Sequence, residues 1–308
     1  MKEEDYQFFR ENGYVSLGKI LTDQEVAYYA NLFDLDCAEK QAFWFDYGNY
    51  QTVNYDVLAS TPEFDQLIRH NRVMEPLHRL MGGDLCFSEI GLRHMDCYTD
   101  VPKHWGWHRD GKHLMDHHLR TRNIQLILYL ADVDETTHCF SISPESVDQL
   151  ILEDKDAQLQ RGGICNLYGP AGTAILCNYS VLHSATVRVT EKERKTVQIY
   201  YGHRDQPYMA NDSLITNQFW RDHPDLEVRA FYGVINDKTR KYLELAGIEN
   251  KNYSGHSLRS GFATVSAESG ADERSIMAMT GHKTTQMVRR YIREANIFKN
   301  NALSKIKI

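Results

Sequence analysis

No stretch of the 308 residues approaches the roughly 18 consecutive apolar residues of a membrane-spanning helix. The opening residues, MKEEDYQFFRENGY, are acidic and aromatic and lack the apolar core of an export signal. Six cysteines (Cys37, Cys86, Cys97, Cys139, Cys165, Cys177) include no CxxC pair, so the common zinc and thiol-redox spacings are absent. They are expected as reduced thiols in a cytoplasmic protein. An excess of positive charge is missing too, and a net charge of -7 argues against nucleic acid as the partner of the whole chain. No internal repeat or low-complexity tract is evident. What remains is ordinary globular composition, 42% hydrophobic and 25% charged. The length suits one large core, or one core with a small appendage.

The charge is unevenly spread. Residues 250–308 carry ten Lys/Arg against four Asp/Glu, in a chain that is otherwise acidic, which marks the segment as different in origin or partner. The start reads as helical, with Phe8, Phe9, Tyr14 and Val15 leading into the capping pattern Thr22-Asp-Gln-Glu25. A run of Val26, Tyr29, Ala30 and Phe33 at helical spacing follows. Residues 62–82 read as a second helical region broken near Pro76. From residue 84 the texture turns to short runs rich in β-branched and aromatic residues, LCFSEIGLRHMDCY, NIQLILYLADV, TAILCNYSVLHSATV and TVQIYYG. Helices followed by unevenly spaced strands predict an antiparallel sandwich or barrel with helices outside. A helical texture resumes near 253.

Side chains at i and i+2 of a strand leave one face, so an HxD triplet can offer two ligands to one ion. Fourteen histidines give four such triplets, at His94-Met-Asp96, His108-Arg-Asp110, His203-Arg-Asp205 and His223-Pro-Asp225. At these abundances about one arises by chance, so context must choose. The last lies in a polar turn and the third leads into a polar loop. His94 sits within an apparent strand and could line a pocket. His108 and Asp110 lie in the aromatic turn Gly106-Trp-His-Arg-Asp-Gly111, a good entrance to a cavity. Seventy-five residues later a turn and strand, Gly169 to His183, ends in a histidine, and Arg194 opens the next strand. Two histidines and a carboxylate on one face of an iron octahedron leave positions open for a bidentate oxo-acid and O2. A buried arginine can then hold the far carboxylate of the oxo-acid in two-pronged fashion.

Together these segments resemble the phytanoyl-CoA dioxygenase family. The resemblance rests on Phe8-Phe-Arg-Glu-Asn-Gly-Tyr-Val15 with Leu21-Thr-Asp-Gln-Glu-Val26, and on Trp107-His-Arg-Asp-Gly111. It continues through Leu128-Tyr-Leu-Ala-Asp-Val133 with Cys139-Phe-Ser-Ile-Ser-Pro-Glu-Ser146, and Gly172-Thr-Ala-Ile-Leu176 with His183 and Arg194. It extends to Trp220-Arg-Asp-His-Pro-Asp225 and Phe231-Tyr-Gly233, and so over roughly residues 5–245. It implies a mainly β double-stranded β-helix (a cupin-like jelly roll) with flanking helices. It also implies an enzyme that uses Fe(II), 2-oxoglutarate and O2 to hydroxylate a C–H bond of a small molecule, releasing succinate and CO2. His108, Asp110 and His183 would hold iron and Arg194 the oxo-acid, with Gln125 and Arg93 as further contacts to oxo-acid or substrate. Asp110 stands where related halogenases have a small residue, which favours hydroxylation. Arg188 replaces a common polar Asn, and Glu145 stands where the Pro-Gly-Ser loop has its glycine.

Residues 253–298 resemble the end of a tyrosine recombinase (phage integrase) domain, through Ser254-Gly-His-Ser-Leu-Arg-Ser-Gly-Phe-Ala-Thr264, Ile276-Met-Ala-Met-Thr-Gly-His-Lys283 and Met287-Val-Arg-Arg-Tyr-Ile-Arg293. By that resemblance His256 and Arg259 would bind a scissile phosphate, His282 would assist and Tyr291 would be the nucleophile. That family's first catalytic arginine and β-hairpin lysine lie upstream, where this chain has an oxygenase, so strand exchange is not expected. The expected division is an oxygenase domain at 1–247 and a helical tail at 248–308. The tail would dock through Leu258, Phe262, Ile276, Met277, Met279, Val288 and Ile292 on the oxygenase or on a second copy. The other classes weighed are a recombinase-derived DNA-binding module with a degenerate oxygenase, and a cupin-like metal protein without turnover. His113, His117, His118 and Arg120 hint at a polar or anionic substrate.

Overall fold

The computed structural model describes residues 1–48, 50–100, 106–204, 213–233, 262–263, 265–267, 269–280 and 289. The chain divides into two compact units, Met1–His203 with Ser213–Ile215, and Arg204–Asp212 with Thr216–Ile308.

The first unit opens with α1 (Glu3–Asn12). This helix stops before Tyr14, short of the expected helical start. Gly13 takes φ +74°, a left-handed conformation that favours glycine, and its N–H donates to the Phe9 carbonyl. A Cβ there would fall 2.5 Å from Val181 Cγ2. Tyr14 and Val15 begin strand β1 (Tyr14–Lys19) instead. The capping pattern is present as read: the Glu25 N–H donates to Thr22 Oγ1 at 3.2 Å and the Thr22 N–H to Glu25 Oε2 at 2.7 Å. The helix it starts, α2 (Asp23–Glu39), buries Tyr29 and Phe33. Three more helices follow, α3 (Val57–Ser60), α4 (Asp65–Ile68) and α5 (Asn71–Met81). The break expected near Pro76 lies at Arg69 and His70. His70 is extended and caps α5 by accepting from the Arg72 N–H at 3.2 Å. Pro76 sits inside α5, buried with Val73, Leu77 and Leu80, and costs the helix one backbone hydrogen bond.

The remaining strands are β2 (Phe45–Gly48), β3 (Gln51–Asn54), β4 (Leu85–Met95), β5 (Ile124–Tyr129), β6 (Cys139–Ile142), β7 (Cys165–Leu167), β8 (Thr173–Asn178), β9 (His183–Thr186) and β10 (Arg194–His203), with α6 (Lys155–Gly162) before β7. Seven form one sheet in the order β1-β8-β5-β10-β4-β3-β2, and three form another in the order β7-β6-β9. All named pairings are antiparallel. The run expected as one strand ending at His183 is two strands in different sheets. The Asn178 side chain accepts from the Ser180 N–H and hydroxyl and makes the turn between them, so His183 begins β9.

Alternation sorts each strand into two faces. Tyr14, Ile127, Tyr129, Ile175 and Cys177 of the large sheet pack with Cys139, Phe140, Ile142 and Leu167 of the small one. The two sheets therefore face each other as the expected jelly-roll sandwich. The same inner face continues onto β10 and β4, where Thr196 stands opposite Tyr129 and Arg93, and Tyr200 opposite Gln125 and Glu89. There the apolar core gives way to polar side chains. The other face of the large sheet meets the helices: the Tyr201 hydroxyl donates to the Ile68 carbonyl at 2.8 Å, and His94 packs edge-on against Phe33.

In the second unit α7 (Asn217–Trp220) and α8 (Leu226–Tyr232) bury Phe219, Val228, Phe231 and Tyr232. Asp225 caps α8 by accepting from the Glu227 N–H at 2.8 Å, which gives the His223-Pro-Asp225 triplet a helix-capping role. Further on, α9 (Glu273–Thr280) buries Ile276, which packs with Ala263, Ala267 and Met277. The expected tail stripe is not a single buried face, because Phe262 is 44% and Met279 74% exposed. Ile276 and Thr280, four residues apart, define the buried side. Leu258, Val288 and Ile292, and the recombinase-like His256, Arg259, His282 and Tyr291, lie outside the described residues. Among the described residues no helix is long and apolar enough to cross a membrane.

Candidate metal centre

His108 pairs with His183 like a fragment of strand. Each N–H donates to the other's carbonyl at 3.0 Å, and the Asp110 N–H donates to the Tyr179 carbonyl at 3.1 Å. Backbone pairing thus brings a turn near residue 110 against the start of β9. Alternation places His108 and Asp110 on one side and Arg109 on the other. His108 Nε2 is 3.5 Å from Asp110 Oδ1, and His183 Nε2 is 3.5 Å from Asp110 Oδ2. The ligand atoms of all three residues lie within 4.8 Å of one another, and among the described residues no other His, Cys, Asp or Glu group does this. Gly111 lets the turn close: a Cβ there would lie 2.1 Å from the Tyr179 ring.

The histidines are oriented by backbone carbonyls. His108 Nδ1 lies 2.6 Å from the Gly106 oxygen and His183 Nδ1 2.9 Å from the Val181 oxygen. A carbonyl only accepts, so each Nδ1 carries the hydrogen and each neutral ring presents the Nε2 lone pair to the centre. Burial alone would raise the Asp110 carboxyl, but His183, His108 and the Tyr200 hydroxyl outweigh it and hold the group well below the usual carboxylate range. Burial also pushes His183 down, more than Asp110 pushes it up. At His108 burial is outweighed by Asp110 and the Gly106 carbonyl, and the ring is raised. An ionised carboxylate beside a neutral buried imidazole is a donor set that a divalent cation can bind.

Two supports of this turn were not read from the sequence. The Tyr200 hydroxyl donates to Asp110 Oδ2 at 2.7 Å and accepts from Gln125 Nε2 at 2.5 Å. Gln125 therefore reaches the centre through Tyr200. Six residues from Arg194, Tyr200 has the same strand parity, which was the available signal. On the far side of the turn Arg109 forms a two-pronged ion pair with Glu145 and also donates to the Ser180 carbonyl at 2.7 Å. Glu145 accepts in addition from the Leu182 N–H at 3.4 Å, with Arg161 3.6 Å away. One buried carboxylate thus braces the residue between His108 and Asp110 and the residue before His183. This is the loop position at which the resembled family has glycine; the carboxylate that stands here pairs with the turn that carries His108 and Asp110. Glu145→Ala leaves the partly buried Arg109 without its counter-ion and should destabilise the fold by about 2 kcal/mol. Thermal melts check this, and an unchanged melting temperature would remove the brace from the account.

Arg194, at the start of β10, is 1% exposed, and its Nε and Nη1 have no hydrogen-bond partner. Burial without a counter-ion pushes its guanidinium below its ordinary value. Thr196, two residues along the same face, also has an unpartnered hydroxyl. A buried cation without an anion is costly, so these groups fit a ligand carboxylate. Arg188 is engaged elsewhere, donating to the Thr137 carbonyl and the Tyr168 hydroxyl. His94 lies on the outer face within 2.8 Å of Glu193, which removes it from the pocket. The Arg204 beside His203 pairs with Glu227, and Asp205 lies outside the described residues. His117 accepts from the Leu119 and Thr121 N–H groups and so organises its own loop.

Comparison with known proteins matches residues 175–296 to the "Phage integrase family". That match begins well upstream of 253. A relative, the "Integrase/recombinase xerD homolog" of Selenomonas ruminantium, is 34% identical over 172 residues, or 54% of this chain; the chain spans only 43% of that relative's length. Among solved structures, EctD from S. alaskensis in its apoform has TM-score 0.58 at 17% identity, covering 71% of this chain and 83% of that one. The non-heme alpha ketoglutarate dependent epimerase SnoN from nogalamycin biosynthesis has TM-score 0.56 at 18% identity, covering 66% and 83%. HygX from Streptomyces hygroscopicus, solved with nickel, 2-oxoglutarate and hygromycin B, has TM-score 0.54 at 17% identity, covering 77% and 98%. At these identities the likeness is one of fold. Residues 9–196 match the family described as "Phytanoyl-CoA dioxygenase (PhyH)". That span is more than half of the chain, includes the whole His108–Asp110–His183 cluster and ends just past Arg194, and the chain belongs to this family of Fe(II)- and 2-oxoglutarate-dependent enzymes.

Proposed function

We propose that this chain hydroxylates a C–H bond of a small molecule, with Fe(II) held by His108, Asp110 and His183 and the distal carboxylate of 2-oxoglutarate held by Arg194 and Thr196. The observation that carries the reading is the three-residue cluster in a sandwich that also buries an arginine whose Nε and Nη1 lack partners. Fe(II), 2-oxoglutarate and O2, when bound, supply the oxidising chemistry, with succinate and CO2 as products. The protein's own contribution is orientation. The carbonyls of Gly106 and Val181 fix the imidazole tautomers, Tyr200 holds one oxygen of Asp110, and Arg194 sets the direction in which the oxo-acid lies. Succinate release that depends on Fe(II), measured across a small-molecule screen, tests the activity. A product that gains one oxygen atom is hydroxylated, whereas an isomer or a dehydrogenated ring marks a different outcome.

In this reading the oxygenase domain runs over 1–247, and 248–308 is an appended helical segment that packs on it or on a second copy. Deleting 248–308 should lower solubility or melting temperature while kcat stays near that of the full chain. A loss of kcat without a change in stability would give the tail a part in turnover. The integrase match favours a second reading, a DNA-binding module. Gel-shift binding that weakens steeply with salt would support it; DNA is not the expected partner.

A further inference from the structure

The inner face carries a second buried guanidinium. Arg93, on β4, is 7% exposed and stands opposite Thr196 in the sheet, so it shares the face of Arg194 and Tyr200. Its Nη2 donates to the Tyr55 hydroxyl at 2.6 Å. Its guanidinium lies over the Tyr47 ring at 4.5 Å and near the Tyr55 ring at 5.5 Å. Its Nε has no partner, and among the described residues no carboxylate forms an ion pair with it. Glu89, the other charged residue of this face of β4, is four positions away, opposite Tyr200. Gly91, between them on the same face, leaves room that the Tyr55 ring occupies: a Cβ there would lie 3.1 Å from it. Arg93 is therefore a fixed cation, framed by two tyrosines and lacking an anion.

Charge counting sets Arg93 apart from the oxo-acid site. Given the reading above, Fe(II) and Arg194 bring three positive charges, and Asp110 with the two carboxylates of 2-oxoglutarate brings three negative ones. That balance does not call on Arg93, whose contacts among the described residues are tyrosines and not carboxylates. We propose that Arg93 binds an anionic group, a carboxylate or phosphate monoester, on the small-molecule substrate. The Tyr47 and Tyr55 rings would flank the apolar part next to it. Arg93 would then be a specificity-determining residue of the enzyme and no part of the oxo-acid site.

The inference rests on the proposed oxygenase site, and the two are separable by experiment. The full chain, loaded anaerobically with Fe(II) and saturating 2-oxoglutarate, is titrated calorimetrically with benzoate, phenyl phosphate and the neutral benzamide. Saturable one-to-one binding of at least one anion is expected, at least about tenfold tighter than benzamide; which anion binds better identifies the group. Arg93→Gln should weaken that binding by about tenfold or more, and Arg93→Lys by less, with the Fe(II)–2-oxoglutarate visible band intact in both. The idea is overturned if neither anion binds, if benzamide binds as well, or if Arg93→Gln and Arg93→Lys bind the anion like the wild type. It is also overturned if Arg93→Gln lowers affinity for 2-oxoglutarate instead. Loss of the band in the wild type would sink the oxygenase reading itself, whatever the anions do.

Discussion

His183→Ala is expected to abolish both succinate release and the weak visible band that 2-oxoglutarate gives on ferrous iron under anaerobic conditions. The side chain is buried, its Nε2 points at Asp110, and the Val181 carbonyl fixes its tautomer. Alanine removes one of three protein ligands, and no neighbouring His, Cys, Asp or Glu among the described residues can replace it. Asp110→Ala should have the same effect on the band, and it also leaves the Tyr200 hydroxyl without its acceptor. The control is His94→Ala: this histidine faces α2 and Glu193, so both readouts should survive. A band that persists in His183→Ala and disappears in His94→Ala would mean that the wrong triplet has been assigned to iron.

Arg194→Ala should leave iron binding intact and raise the KM for 2-oxoglutarate by a hundredfold or more. The bound carboxylate would be buried against Tyr129 and Thr196 without a counter-charge, at a cost of about 3 kcal/mol or more; every 1.4 kcal/mol is a factor of about ten in affinity. Arg194→Lys should recover only part of the loss, because an ammonium cannot grip both carboxylate oxygens. Thr196→Val, which removes one hydroxyl, should cost about 1 kcal/mol, or several-fold in KM. A KM for 2-oxoglutarate unchanged in Arg194→Ala would assign the anchor to another cation, with Arg93 the other buried arginine on that face among the described residues.

The cluster of His108, Asp110 and His183 and the buried Arg194 were legible because each carries a local mark: an i, i+2 pair beside glycine, a histidine following an apolar run, an arginine opening the next strand. The supports were not, because they depend on register. Tyr200 reaches Asp110 only because β10 pairs with β5 and β4 in one alignment, and a shift by one residue would turn it outward. The partnership of Arg109 with Glu145 spans 36 residues and leaves no trace in either segment. His94 shows the converse. It has the same HxD form as His108, and strand parity alone sends it to the helix-covered side. The helix ends at α1 and α5 turned on backbone chemistry at Gly13 and His70, where the periodicity of the apolar residues continues past the stop.

The pairing of β1 with β8 joins Tyr14 to Cys177 across most of the oxygenase sequence. During synthesis β1 leaves the ribosome long before its partner. At the usual 5–20 residues per second it waits on the order of ten seconds with its hydrogen-bonding edge open. The His108–Asp110–His183 cluster is also completed late, since His183 is made about 75 residues after His108. The three side chains therefore come together only once β9 has been made and the sandwich closes; if the cluster holds iron as proposed, slow codons or chaperone release between residues 110 and 183 would be felt in how much iron-loaded protein forms.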